Sequence, residues 1–226
     1  MSAGVLGSAA IDGATALTAA VAGCAGAAAG LLTAPVVAAY HRPPGPRGRA
    51  AIAGLTAAVL AVLALRFGPG AELVAFAYLG VAGVLLAVVD AVVKRLPDRL
   101  TLPSYPIGFA LLALAVPFTG DGPARLVHAL IGMAVLWLFY FIQHFLMPKA
   151  MGRGDVKLSG VLGLYLGWLG EAAWVTGVVA GFLFGGVYSV IWMLLGKAGR
   201  KDEMPYGPFM LAGTLAGVLV GGWFAR

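Results

Sequence analysis

Two aspartates, Asp90 and Asp155, are the side chains in this sequence best placed to do chemistry. Ionisable groups at membrane depth are costly and serve as functional candidates. Asp90 follows seventeen uncharged residues and precedes Ala-Val-Val before Lys94, in the final turns of an apolar segment. Asp155 opens another segment, inside Met151-Gly-Arg-Gly-Asp-Val-Lys-Leu158. Two carboxylates in a restricted site do not both ionise easily, so one keeps a proton while the other acts as a base. Such a pair can activate a water toward a peptide carbonyl and protonate the leaving amine without metal or covalent intermediate. Gly152 and Gly154 near Asp155 are expected to permit positive φ and close approach of a substrate backbone. The helix field favours a carboxylate at a helix N-terminus, where Asp155 is expected, and disfavours one near a C-terminus, where Asp90 is expected. That makes Asp155 the ionised member and Asp90 the proton holder, with Lys94 and Arg95 pulling the other way.

Each candidate has a plainer reading. Either aspartate alone could be an interfacial residue, and Asp90 could pair with Lys94 at i,i+4. Asp98, after Pro97, reads as a loop residue or the N-cap of the next helix. His128 and His144 share one segment sixteen residues apart, a spacing that suits interfacial or hydrogen-bonded roles better than metal ligation. Asp12, Glu72, Asp121 and Glu171 read as solvated. Cys24, the single cysteine, reads as a small buried residue.

The elements that must position these groups are apolar helices. The chain has 226 residues, 61% hydrophobic, with 15 Lys/Arg and 9 Asp/Glu, and a mean hydropathy of +0.96. A soluble domain carries about a quarter charged residues, and here the share is 11%. That excludes a water-soluble globule, and with one cysteine it excludes a disulfide scaffold; nucleic-acid binding is excluded as well. Charged residues divide the chain into uncharged stretches at Gly13–Tyr40, Ala50–Leu65, Leu73–Val89, Leu100–Gly120, Leu126–Pro148, Leu158–Gly170, Ala172–Gly196 and Met204–Ala225. A spanning helix needs about 20 predominantly apolar residues; the sixth stretch is the shortest.

Cations alternate between the connections. Arg42, Arg47, Arg49, Lys94, Arg95, Arg99, Lys149, Arg153, Lys157, Lys197, Arg200 and Lys201 fall on one side; Arg66, Arg125 and Arg226 fall on the other. Under the positive-inside rule this predicts an all-α, polytopic membrane bundle of eight transmembrane helices, with both termini extracytoplasmic and both aspartates at the cytoplasmic level. The first stretch lacks a basic n-region and reads as a retained span rather than a signal peptide. Gly26/Gly30, Gly163/Gly167, Gly181/Gly185 and Gly217/Gly221 form G-x-x-x-G pairs that support close helix packing. Arg42-Pro-Pro-Gly-Pro-Arg-Gly-Arg49 reads as a solvated topology anchor beside anionic lipid. With such short loops the expectation is one integral membrane domain over 1–226.

Met151-Gly-Arg-Gly-Asp-Val-Lys-Leu158 resembles the G-x-G-D motif of the type IV prepilin peptidases, aspartic proteases of the bacterial inner membrane. Val89-Asp-Ala-Val-Val-Lys-Arg-Leu-Pro-Asp-Arg-Leu-Thr-Leu-Pro103 is similar to that family's segment around its first aspartate, with Asp90 and Asp98 at the family's spacing. Met204-Pro-Tyr-Gly-Pro-Phe209 looks like the family's Pro-Phe-Gly-Pro-Phe. The resemblance covers roughly residues 73–223. It implies that Asp90 and Asp155 are the catalytic pair and that Gly152, Gly154 and Lys157 belong to the active-site loop. Asp98, Pro205, Gly207 and Pro208 then have substrate or structural roles. It implies cleavage of the basic leader of type IV prepilins or pseudopilins after a glycine, at the cytoplasmic face of the inner membrane. Many larger members carry a C-x-x-C-bearing insertion between the first two spans, associated with zinc and N-methylation. The short loop here resembles the peptidase-only members, so no cofactor and no metal are expected. The alternative is a small proton- or cation-coupled transporter using the same carboxylates, and a third reading is a pilus or secretion subunit without catalysis. Nothing in the short loops selects one prepilin or sets an oligomeric state.

Overall fold

A computed structural model describes residues 13–40, 42–148, 151–195 and 205–221. Asp12, Lys149, Lys197, Arg200, Lys201, Met204 and Arg226, which entered the charge and motif readings, lie outside the described residues. Among those described, the chain is all helical: α1 (Gly13–Val37), α2 (Pro46–Phe67), α3 (Ala71–Val93), α4 (Asp98–Thr101), α5 (Ser104–Ala115), α6 (Gly122–Leu146), α7 (Arg153–Leu169), α8 (Glu171–Leu194) and α9 (Gly207–Val220), with a 3-10 turn at Val116–Phe118. Prolines stand in the first turns of α2, α6 and α9, where the missing N–H removes no helical hydrogen bond. Gly68 and Gly170, at φ 65° and 98°, end α2 and α7 in backbone conformations that favour glycine.

Six segments are long and apolar enough to cross a membrane: α1, α2, α3, the run Asp98–Phe118, α6 and α8. The sixth and eighth expected stretches form α7, of 17 residues, and α9, of 14 described residues. The fourth is interrupted between α4 and α5 at Leu102–Pro103; both residues keep helical φ and ψ, but Pro103 has no N–H to continue the hydrogen-bond ladder. α7 is short because it never faces outward: every residue from Leu158 to Trp168 is buried, the pattern of a helix enclosed on all sides. Phe67 stacks on Phe76 at 4.4 Å, and Phe76 meets Tyr165 of α7 edge-on at 5.2 Å. The exterior is the opposite. Val127, Ile131 and Leu138 on α6, and Val179, Leu183 and Leu194 on α8, are exposed. An apolar exterior of that extent suits lipid rather than water.

Small residues let the helices approach closely. A Cβ on Gly30 would lie 2.7 Å from the Ala53 Cα, and one on Gly132 would lie 2.7 Å from the Gly163 carbonyl oxygen. At one end of the bundle, Glu72 at the start of α3 accepts a hydrogen bond from Trp168 Nε1 (2.7 Å) and pairs with Arg125 Nη1 of α6 (2.9 Å). Arg125 also donates from Nε to the Trp168 carbonyl and lies over its ring. Glu72 is therefore a three-helix clamp rather than a solvated acid; folding brings it against an indole N–H and a guanidinium that its own segment does not contain. Cys24 likewise departs from expectation. It is exposed, because α1 packs chiefly against α2 and leaves the rest of its surface outward.

Candidate active site

The clamp fixes one end of α3 and α7, and the two aspartates sit at the other. Eighteen residues of α3 separate Glu72 from Asp90, a rise of about 27 Å, while α7 runs antiparallel from Asp155 to Trp168. Asp90 is buried at 4% exposure, and Asp155, in the first turn of α7, is partly exposed. The two carboxylates lie within electrostatic reach of each other.

Each carboxylate meets backbone at a helix N-terminus. Gly207 at the start of α9 donates its N–H to Asp90 Oδ2 at 2.9 Å. A Cβ on Gly207 would lie 2.7 Å from that oxygen, so glycine is what lets the amide approach. Asp155 lies over its own helix start, where a Cβ on Gly152 would stand 3.0 Å from its Oδ2. The field argument that made Asp90 the proton holder therefore loses its basis: its own helix C-terminus is offset by the N-terminus of α9, 117 residues away. Nor does Asp90 form an ion pair with Lys94. Lys94 takes a left-handed conformation (φ 54°) that ends α3, and its N–H is donated to the Asp90 carbonyl at 2.7 Å.

The loop residues are brought together with different tasks from those expected. Neither Gly152 nor Gly154 has positive φ. A Cβ on Gly154 would come within 2.8 Å of the Leu96 Cβ, so this glycine docks the start of α7 onto the segment following Asp90. Asp98 is the first residue of α4, after Pro97 in the N-cap position, and it accepts an ion pair from Lys157 Nζ at 2.7 Å. Tyr105 donates to the Lys157 carbonyl at 2.6 Å. Asp98 and Lys157 thus join the two aspartate-bearing segments. Pro205 is partly exposed, and Pro208 lines an apolar groove of about 250 Å³ between α2, α3 and α9.

His144, Tyr140 and Tyr206 lie at the site without a catalytic expectation from sequence, and His128 lies away from it. His144 at the end of α6 is 2.8 Å from the Met151 carbonyl through Nδ1; a carbonyl only accepts, so Nδ1 carries the proton, and the loop before Asp155 is tethered to α6. His128 is exposed on α6. Tyr140 and Tyr206 lie within electrostatic reach of Asp155. Tyr206 was legible only as an aromatic within a motif, and Tyr140 was hidden in the aromatic run from Trp137 to Phe141. Among the described residues no group of three or more His, Cys, Asp or Glu side chains is arranged to hold a metal ion.

Residues 77–190, just over half of the chain and including both aspartates, match the type IV leader peptidase family. The chain belongs to that family. Among curated relatives, the prepilin leader peptidase/N-methyltransferase of Aeromonas salmonicida (strain A449) is 34% identical over 166 residues, covering 72% of this chain and 55% of the relative. The protein of the same name from Pectobacterium carotovorum subsp. carotovorum is 34% identical over 140 residues, covering 62% and 48%. That from Klebsiella pneumoniae is 36% identical over 116 residues, covering 50% and 49%. The chain spans about half the length of these relatives. No solved structure matches it significantly. Within the family segment, α3, α4 and α7 supply the Asp90, Asp98 and Asp155 carboxylates, and Gly207 beyond the segment completes the contacts of Asp90.

Proposed function

We propose that the chain is a prepilin leader peptidase, an aspartic endopeptidase that cleaves the basic leader of type IV prepilins or pseudopilins. The observation that carries this reading is the meeting of Asp90 and Asp155, 65 residues apart in sequence, at one end of the bundle in a chain of this family. One carboxylate takes a proton from water as the water oxygen bonds to the scissile carbonyl carbon; the other gives its proton to the carbonyl oxygen. When the tetrahedral intermediate collapses, the carbon–nitrogen bond breaks and the amine leaves with a proton. The partial exposure of Asp155 supports entry of water, and the burial of Asp90 supports a low-dielectric site in which the pair is strongly coupled. Gly152, Gly154, Lys157, Asp98 and Gly207 act by holding the two carboxylates and their segments; Pro205 and Pro208 flank the Asp90 contact.

In this reading the chain is one integral membrane domain with eight spans, α7 and α9 among them. Both termini are extracytoplasmic and the site faces the cytoplasm of the bacterial inner membrane. The connection between α1 and α2 runs only from Ala38 to Gly45, and a peptidase without the second activity in its relatives' names is the reading it supports. A transporter is not favoured, because both carboxylates lie at helix ends rather than near a midplane. The test is leader cleavage of a co-expressed type IV prepilin, read by N-terminal sequencing. Asp90→Asn and Asp155→Asn are each expected to abolish cleavage while the protein accumulates normally in the membrane. Cleavage retained in either variant would sink the proposal.

A further inference from the structure

We propose that Tyr206 is a further catalytic residue, whose hydroxyl donates a hydrogen bond to the oxygen of the scissile carbonyl as that oxygen gains charge. This rests on the peptidase reading of Asp90 and Asp155. The Tyr206 ring is held from α6 and α8: its centroid lies 6.4 Å from that of Tyr140 and 6.0 Å from that of Phe182. A Cβ on Gly185 would come within 2.8 Å of its Cε2, so α8 carries a glycine where the ring is seated. The hydroxyl at the end of this fixed ring is buried and has no hydrogen-bond partner among the described residues. The Tyr140 hydroxyl is its nearest hydrogen-bonding neighbour and acts on it as one, but the two do not meet in hydrogen-bonding geometry.

A buried hydroxyl without a partner is costly, and native proteins keep few of them. Phenylalanine would fill the same seat and meet the same rings without that cost. The neighbours of Tyr206 indicate which partner is missing. The next residue, Gly207, donates to Asp90, and the hydroxyl lies within electrostatic reach of Asp155. A donor near Asp155, one residue from the amide that holds Asp90 and bonded to neither carboxylate, is available to a group that enters the site, and in a peptidase that group is the peptide carbonyl. Because packing already fixes the ring, the donor need not reorganise as charge develops, the condition under which such a donor accelerates acyl transfer. Tyr165 Oη, also buried without a partner, sits ten residues along α7 from Asp155, about 15 Å of helix rise, and shares none of these neighbours.

The experiment compares wild type, Tyr206→Phe, Tyr140→Phe and Asp155→Asn in proteoliposomes with a purified type IV prepilin. Tyr206→Phe is expected to lower kcat roughly a hundred- to a thousandfold, with KM changed less than about twofold and Tm unchanged or raised. Tyr140→Phe is expected to keep kcat within about threefold. Wild-type kcat in Tyr206→Phe overturns the proposal. So does a lowered Tm in that variant, since it would reveal a structural partner for the hydroxyl, or an equal loss of kcat in Tyr140→Phe. Asp155→Asn keeps the two ideas apart. Cleavage by wild type but not by Asp155→Asn upholds the peptidase reading whatever Tyr206→Phe does; no cleavage by wild type removes both.

Discussion

A methyl group at position 207 would stand 2.7 Å from Asp90 Oδ2 and 3.3 Å from its Cγ. Either the carboxylate rotates off the amide it accepts or α9 moves away, and both separate Asp90 from the helix N-terminus that faces it. Gly207→Ala is therefore expected to reduce prepilin cleavage by at least about tenfold, the effect of a small misplacement at a site that depends on geometry. Membrane insertion should persist, and leader cleavage in isolated membranes together with protein level measures both. Full cleavage in this variant would detach the Gly207 contact from function. Asp90 and Asp155 were legible in the sequence because a carboxylate in an apolar block stands out. The Gly207 contact was not, because it joins residues 117 apart and exists only once α3 and α9 pack. Asp98 and Lys157 stood out as motif residues, but their ion pair depends on folding α4 against α7. Gly154 was legible as a special residue for the wrong reason: its missing side chain makes room for Leu96, not for positive φ.

Among the elements, α7 carries the most structural constraint and gave the weakest sequence signal. The expected stretch of Leu158–Gly170 was short for a span because length criteria assume contact with lipid, whereas the other helices surround α7. Charge breakers located the remaining helices within a few residues, but hydropathy could not reveal the break at Leu102–Pro103 or the clamp at the far end. Glu72 ties α3 to α6 and α7 through one carboxylate oxygen that meets Trp168 Nε1 and Arg125 Nη1. Glu72→Gln keeps the shape and removes the charge, so it is expected to cost about 1–2 kcal/mol. That should appear as a Tm lower by a few degrees in a detergent melt. Since the clamp lies about 27 Å of α3 rise from Asp90, cleavage at a temperature well below Tm should stay near wild type. An unchanged Tm would mean that the three helices hold their register without it.

For the whole molecule, the two ends of the bundle differ in charge, and that difference agrees with the helix directions. Ile52 in the first half of α2 and Val89 near the end of α3 share one buried cluster with Val37 at the end of α1. The exposed Arg42, Arg47 and Arg49 therefore lie at the Asp90 end, with Arg99 and the Asp98–Lys157 pair. At the opposite end, Arg66 Nε is donated to the Val218 carbonyl, and Arg125 is taken up by the Glu72 clamp. The described cations at that end are engaged in helix packing, whereas the described cations at the aspartate end are mostly exposed, the distribution that the positive-inside rule would give if the aspartate end faced the cytoplasm. This orientation can be tested with single cysteines in a Cys24→Ser background, which removes the one native cysteine. Asp121→Cys, at an exposed position before α6, is expected to label with a membrane-impermeant maleimide in intact spheroplasts. Arg47→Cys, exposed in the first turn of α2, should label only after permeabilisation. The reverse pattern would put Asp90 and Asp155 on the outer face, where a leader still held in the cytoplasm could not reach them. Labelling of both sites in intact spheroplasts would contradict a bundle whose two ends lie on opposite sides of the bilayer.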